Sequence, residues 1–140
     1  MKMRVLTATN KGKMLAIADA LAKKTDCRID VIPPAYSCER EKLVIMVVSA
    51  SASMPNAFDL FCKSLNKQTA YNVAIVSDGT PENTGKIIQM IKDAGGNVLD
   101  DVLYIAGGLP LKFLKKVSEE DMAKATEWCD RIVAGVSANA

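Results

Sequence analysis

The sequence contains no histidine, and this absence excludes several kinds of catalytic and metal site. Without an imidazole there is no Ser-His-Asp triad, no Cys-His pair and no zinc site with histidine ligands. Aromatic residues make up only 5% of the chain, which argues against a surface on which single-stranded nucleic acid stacks. The net charge of +2 is close to zero, so we expect no nucleic-acid partner.

The four cysteines also lack the spacing of a known cysteine site. Cys27, Cys38, Cys62 and Cys129 include no C-x-x-C pair, which excludes a zinc ribbon and a thioredoxin-like dithiol. We therefore expect free thiols and a cytoplasmic location. The longest apolar run, Leu43–Val48, is too short to cross a bilayer, and the first residues lack the apolar segment of a signal peptide. No membrane partner is expected.

The length of 140 residues, with 49% hydrophobic and 24% charged residues, predicts one globular domain spanning residues 1–140. Five β-rich segments alternate with segments of helical period, and the third strand is apolar without alternation, as in a parallel sheet buried on both faces. The predicted strands are Arg4–Ala8, Ile29–Ile32, Leu43–Val48, Asn72–Val76 and a segment within Val98–Ala106. This order predicts an α/β fold with a doubly wound, five-stranded parallel sheet.

Four apolar stripes at helical spacing predict the helices that cover this sheet. They are formed by Met14, Leu15, Ala18, Leu21 and Ala22; by Phe58, Phe61, Cys62 and Leu65; by Ile87, Ile88, Ile91 and Ala94; and by Met122, Ala125, Cys129, Ile132, Val133 and Val136. Thr80 and Pro81 are typical of a helix start, and Gly95 with Gly96 is typical of a helix end. The segment Pro33–Glu41 is predicted to be irregular, either a loop or a much reduced helix.

Three loops are the expected binding region. Ligands of open parallel sheets bind beyond the carboxyl ends of the strands, where the strand order reverses. For the order 2-1-3-4-5, that rule selects Thr7–Lys13, Ser49–Asn56 and Ser77–Asn83. The first loop offers hydroxyls, an amide and a glycine before a helix, which suits a phosphate as well as an ordinary N-cap turn. It matches neither G-x-x-x-x-G-K-S/T nor G-x-G-x-x-G.

The other two loops are less distinctive. Ser49–Asn56 is rich in serine and carries Met54, so a flat ligand can approach its backbone closely. Asp78 and Gly79 form a common turn pair. The acidic cluster that a phosphoacceptor receiver domain needs is absent from the ends of the first and third strands. We therefore reject that fold relative and expect no divalent-metal site.

Taken together, these segments resemble the flavodoxin family. Thr9–Lys13 followed by Ala16–Leu21 resembles its T-G-N-T phosphate loop and first helix. Ser49–Leu65 resembles its second flavin loop and the helix after it. Val73–Gly108 is similar to its fourth strand, a helix and its fifth strand, and Ser118–Ile132 to its last helix.

The resemblance implies that the protein binds FMN non-covalently and transfers single electrons between redox partners, a reductase and an acceptor protein. Carried over by position, the FMN phosphate would be held by Thr7, Thr9, Asn10, Lys11, Gly12 and Lys13. One side of the isoalloxazine ring would be lined by Ser49, Ala50, Ser51, Ala52, Ser53, Met54 and Asn56. Its other edge would touch Ser77, Asp78, Gly79, Thr80 and Asn83.

The sequence departs from the family pattern at three points. Asn10 replaces a glycine, and Gly12 replaces a threonine whose hydroxyl bond to phosphate is worth about 1.5–3 kcal/mol, or tenfold to a hundredfold in affinity. Neither flavin loop contains an aromatic residue, and Tyr104 is predicted within the fifth strand rather than at the ring. Ser49–Met54 lacks glycine, so we hypothesise weaker semiquinone stabilisation than in ordinary flavodoxins.

These departures leave two alternatives open. One is a binding or regulatory module with the flavodoxin fold but without FMN. The other is a small FMN-dependent reductase, for which Asp78 and Glu82 are the only acidic residues in the three loops.

Overall fold

In the described part of the chain, strands alternate with helices except where the second strand is followed directly by the third. A computed structural model describes residues 2–8, 12–32, 34, 38–49, 56–66, 68–105 and 119–138. Within these ranges, the strands are β1 (Met3–Thr7), β2 (Ile29–Val31), β3 (Leu43–Val48), β4 (Val73–Ser77) and β5 (Leu103–Tyr104). The helices are α1 (Gly12–Lys24), α2 (Asn56–Lys63), α3 (Pro81–Asp93) and α4 (Glu119–Ala138).

All strand pairs in the sheet are parallel, and the strand order is β2-β1-β3-β4-β5. This confirms the predicted fold class and strand order. Thr7 lies opposite Val47, and Ser77 pairs with both Val48 and Tyr104. The carboxyl ends of the parallel strands therefore lie along one edge of the sheet, and the strand order reverses between β1 and β3.

The sheet separates two hydrophobic layers, because alternate side chains of each strand point to opposite faces. β3 and β4 are buried at every position. One layer contains residues of α1 and α4 together with Val5, Ile45 and Val76. The other contains residues of α2 and α3 together with Leu6 and Ile75. Burial on both faces explains why β3 is continuously apolar in the sequence.

The predicted helical stripes form these layers with small changes. Ile17 and Trp128 are fully buried although the stripes did not include them, while Leu15 and Ile88 are only half-buried. Trp128, the single tryptophan, donates its indole N–H to the carbonyl oxygen of Asp101 over 2.7 Å. It is a packing residue on the last helix.

Helix α3 begins and ends where the sequence predicted. The Thr80 side chain caps its first turn by accepting a hydrogen bond from the backbone N–H of Asn83 over 3.2 Å. At its other end, Gly95 has a φ of +99°, and the N–H of Gly96 donates to the carbonyl of Ile91 over 2.9 Å. This is the Schellman arrangement, in which glycine supplies the left-handed residue that ends the helix.

Candidate functional site

The first loop leaves the sheet from a buried position. Thr7 ends β1 with no exposed surface, and its carbonyl accepts a hydrogen bond from the N–H of Ile32 over 2.8 Å. On the other side, the N–H of Ala8 donates to the carbonyl of Val47 over 2.9 Å. These bonds hold the start of the loop between β2 and β3, at the point where the strand order reverses.

Gly12 begins α1 in a left-handed conformation with a φ of +82°, and a Cβ added to it would meet no atom within 4 Å. The backbone conformation, rather than lack of space, therefore favours glycine at this position. The first turn of α1 contains no acidic residue. Its N–H groups and the helix dipole thus favour an anion at this end of the helix.

An ion pair joins the first turns of α1 and α4. The Lys13 ammonium lies 2.5 Å from Asp121, and their side chains are only 17% and 18% exposed. The Lys13 ammonium, which the resemblance assigned to the FMN phosphate, is therefore already close to a carboxylate. Sequence reasoning missed this contact because no local pattern links residues so far apart.

A second hydrogen bond joins the loops that follow β3 and β4. The Ser49 hydroxyl donates to Oδ2 of Asp78 over 2.9 Å, and the N–H of Asp78 donates to the carbonyl of Val48 over 3.3 Å. The other carboxylate oxygen, Oδ1, is buried and has no hydrogen-bond partner in the described part of the chain. We call it the open oxygen of Asp78. Buried polar atoms are usually paired, so this oxygen calls for a donor from outside the described residues.

Ser77 stabilises the third loop through the hydrogen bonds of its buried hydroxyl. Its hydroxyl lies 2.8 Å from the hydroxyl of Thr84, and it accepts a hydrogen bond from the N–H of Gly79 over 3.0 Å. Ser77 and Thr84 are both fully buried. These two bonds fix the turn on which Asp78 lies, so Ser77 acts on the site by holding the loop.

Tyr104 brings an aromatic ring to this edge. It ends β5, pairs in register with Ser77 and is 41% exposed. Sequence analysis placed it within the fifth strand and gave it no part in the site. The sequence did not show the register of β5, which begins only at Leu103, and it is this register that places Tyr104 opposite Ser77.

The predicted site residues fall into two groups. The structure places Thr7, Gly12, Lys13, Ser49, Ser77, Asp78, Gly79, Thr80 and Asn83, together with the backbone of Asn56, at the carboxyl edge of the sheet or in the first turns of helices that follow it. Thr9, Asn10, Lys11, Ala50, Ser51, Ala52, Ser53 and Met54 lie outside the described residues.

A cavity of about 260 Å³ lies at the opposite edge, next to Asn72, Leu99 and Ile132. Two of its three charged lining residues are engaged with each other, because Arg131 donates to Asp101 over 2.6 Å. We give more weight to the carboxyl edge, since parallel sheets bind ligands there. Among the described residues, no three histidine, cysteine or acidic side chains are grouped to hold a metal ion. None of the described helices has the length and apolar character needed to cross a bilayer.

Comparison with known proteins agrees with the topology. No protein-family model matches the sequence, and no curated protein matches it. Among solved structures, a flavodoxin from the domain Archaea superposes with a TM-score of 0.65 at 16% identity, covering 98% of this chain and 99% of that chain. The chain has the flavodoxin fold. A cysteine-to-alanine variant of the flavodoxin from Pseudomonas aeruginosa superposes with a TM-score of 0.64 at 11% identity, covering 98% and 99%. The resemblance seen in the sequence is thus confirmed for the fold.

Proposed function

We propose that residues 1–140 form one flavodoxin-like domain that binds FMN non-covalently and carries single electrons between a reductase and an acceptor protein in the cytoplasm. The observation that supports this proposal is the meeting of three loops at one edge of the sheet. They begin after Thr7, Val48 and Ser77, beside the reversal of strand order between β1 and β3. The solved flavodoxins share this topology.

The described residues fit both parts of FMN. For the phosphate, the left-handed Gly12 leads into a helix N-terminus whose first turn lacks acidic residues. For the ring, Ser49 and Asp78 join the second and third loops, and the open oxygen of Asp78 offers a buried acceptor. Tyr104 adds an exposed aromatic surface next to Ser77.

When bound, FMN supplies the one-electron chemistry, and the protein supplies binding and orientation. Thr7 and Gly12 position the first loop, and the buried Ser77–Thr84 pair holds the third loop against α3. Because these bonds join protein groups to one another, they hold Thr7 and the turn after Ser77 in place independently of a ligand. Such preorganisation favours affinity.

The second candidate is a binding or regulatory module without FMN. It is favoured by the ion pair between Lys13 and Asp121, because a carboxylate already neutralises the cation assigned to the phosphate. A phosphate that binds there has either to share Lys13 with Asp121 or to rely on backbone N–H groups alone.

A titration of the purified, ligand-free protein with FMN separates these functions. The electron carrier is expected to quench flavin fluorescence with one FMN per chain, and to pass electrons from a flavodoxin reductase to cytochrome c. Absence of quenching would favour the flavin-free module. Oxidation of NAD(P)H without added reductase would favour the third possibility, an FMN-dependent reductase.

A further inference from the structure

We propose that Asp121, at the start of the last helix, sets how strongly this protein distinguishes a phosphorylated flavin from an unphosphorylated one. Its carboxylate holds the Lys13 ammonium and so withholds a cation from the flavin phosphate. Riboflavin, which lacks the phosphate, therefore competes with FMN for the site. This inference rests on the proposed FMN site and specifies which flavins it accepts.

The ion pair lies beside the proposed phosphate site because both of its residues belong to the first turns of their helices. Lys13 is the second residue of α1 and follows the left-handed Gly12, and Asp121 is the third residue of α4. The ammonium lies 2.5 Å from the carboxylate, and both side chains are more than four-fifths buried. Solvent and salt screen such a pair less than an exposed one, so Asp121 holds Lys13 firmly.

The acidic residues next to Asp121 lie differently. Glu119 and Glu120 belong to the same first turn of α4, but both are exposed. The Glu120 carboxylate lies 3.5 Å from the ammonium of Lys124 on its own helix. Asp121 differs from both in that it faces α1 and is largely shielded from water.

A second ion pair joins the same two helices far from the phosphate site. The ammonium of Lys24, the last residue of α1, lies 2.9 Å from Asp130. It is about 16 Å further along α1 than Lys13. The two helices also share a hydrophobic layer in which Ala18 and Ala125 are fully buried. Packing of α1 against α4 therefore has sources besides the ion pair at their first turns.

The effect on ligand choice follows from the charges at this end of α1. The N–H groups and the dipole of a helix N-terminus raise the affinity for an anion by at most about thirtyfold. A hydrogen bond from a lysine ammonium to phosphate adds about tenfold or more. Because Asp121 competes with the phosphate for Lys13, much of this second gain is lost.

The test measures the dissociation constants of FMN and riboflavin by quenching of flavin fluorescence. It compares the wild type with Asp121→Asn and with two controls that remove the same charge. Asp130→Asn removes it from the other ion pair between α1 and α4, and Glu120→Gln from an exposed residue in the same turn as Asp121.

We expect the wild type to prefer FMN over riboflavin by less than about thirtyfold, the contribution of the helix N-terminus alone. Asp121→Asn should raise this preference by about tenfold, because Lys13 becomes available to the phosphate. Both controls should change it by less than about twofold, since exposed or distant charges are screened. Loosened helix packing would weaken both flavins alike and leave the preference unchanged.

A double variant shows whether Asp121 acts through Lys13. In Lys13→Gln/Asp121→Asn there is no ammonium for the phosphate to gain, so the preference for FMN should return to near the wild-type value. A gain that persists in the double variant would overturn the proposal.

The outcomes separate this inference from the proposed function. A wild-type preference for FMN well above thirtyfold, or the same preference in Asp121→Asn as in the wild type, would overturn the role of Asp121 and leave the FMN site standing. A wild-type protein that binds neither flavin would overturn both. The wild-type measurement needs no variant, so the inference can be refuted even if Asp121→Asn does not fold.

Discussion

Replacing Ser77 with alanine removes a single oxygen atom, and we expect it to destabilise the protein strongly. Ser77 is fully buried and serves two partners, the hydroxyl of Thr84 at 2.8 Å and the N–H of Gly79 at 3.0 Å. A buried polar group left without its partner costs about 1–3 kcal/mol. Since Ser77→Ala affects two groups, we expect the free energy of unfolding to fall by about 2–4 kcal/mol.

A double-mutant cycle tests whether the two hydroxyls act together. Thr84→Val alone should cost about 1 kcal/mol, because the Ser77 hydroxyl keeps its bond from Gly79. In the double variant, the Thr84 hydroxyl is no longer left unsatisfied by Ser77→Ala. The combined loss should therefore be about 1 kcal/mol smaller than the sum of the single losses.

Chemical denaturation followed by tryptophan fluorescence measures these changes, because the single tryptophan, Trp128, is fully buried in the native state. A loss below about 0.5 kcal/mol for Ser77→Ala, the range of ordinary surface changes, would refute the reasoning. Additive losses in the double variant would refute it as well. Weaker FMN binding by Ser77→Ala should accompany the loss, because the same bonds hold the Asp78 turn.

Three further predictions follow from the structure and the sequence. Gly96→Ala should lower the unfolding free energy by about 1–3 kcal/mol in denaturant titrations, because its Cβ would lie 2.7 Å from the carbonyl oxygen of Leu65; unchanged stability would contradict that close contact. Burial raises the pKa of the Cys62 thiol from 9.0 to about 12, so the folded state retains a proton that the unfolded state loses, and stability should decline as the pH rises from 9.0 towards about 12. Denaturation at several pH values should show a shallower decline for Cys62→Ala, and an equal decline would contradict the assignment. A redox titration of the FMN-loaded protein should show little semiquinone if the glycine-free loop Ser49–Met54 lacks the usual flexibility, whereas a large and stable amount would disprove that hypothesis.

A strand or helix could be predicted where the residues that determine it lie in one short segment of the sequence. Leu43–Val48 is apolar at every position because both faces of β3 are covered, and Thr80 with Pro81 contains both the cap and the first residue of α3. The alternation of such segments predicted the doubly wound parallel sheet, and the order 2-1-3-4-5 was the flavodoxin-like one. These signals are local, so no knowledge of distant contacts was needed.

The contacts inside the site could not be predicted in this way. Ser49 and Asp78 meet although 29 positions separate them, and Lys13 finds its partner on the last helix. Tyr104 reaches the edge only because β5 pairs with the end of β4. Each of these contacts depends on sheet register or helix packing, which a single sequence does not specify.

Hydrogen exchange with and without FMN shows which segments the ligand covers, so it tests whether the three loops form the binding site. We predict slower exchange in Thr7–Lys13, Ser49–Asn56 and Ser77–Asn83, and unchanged exchange around Asn72 and Arg131 at the opposite edge of the sheet. Protection confined to that opposite edge, or no protection anywhere at saturating FMN, would contradict it.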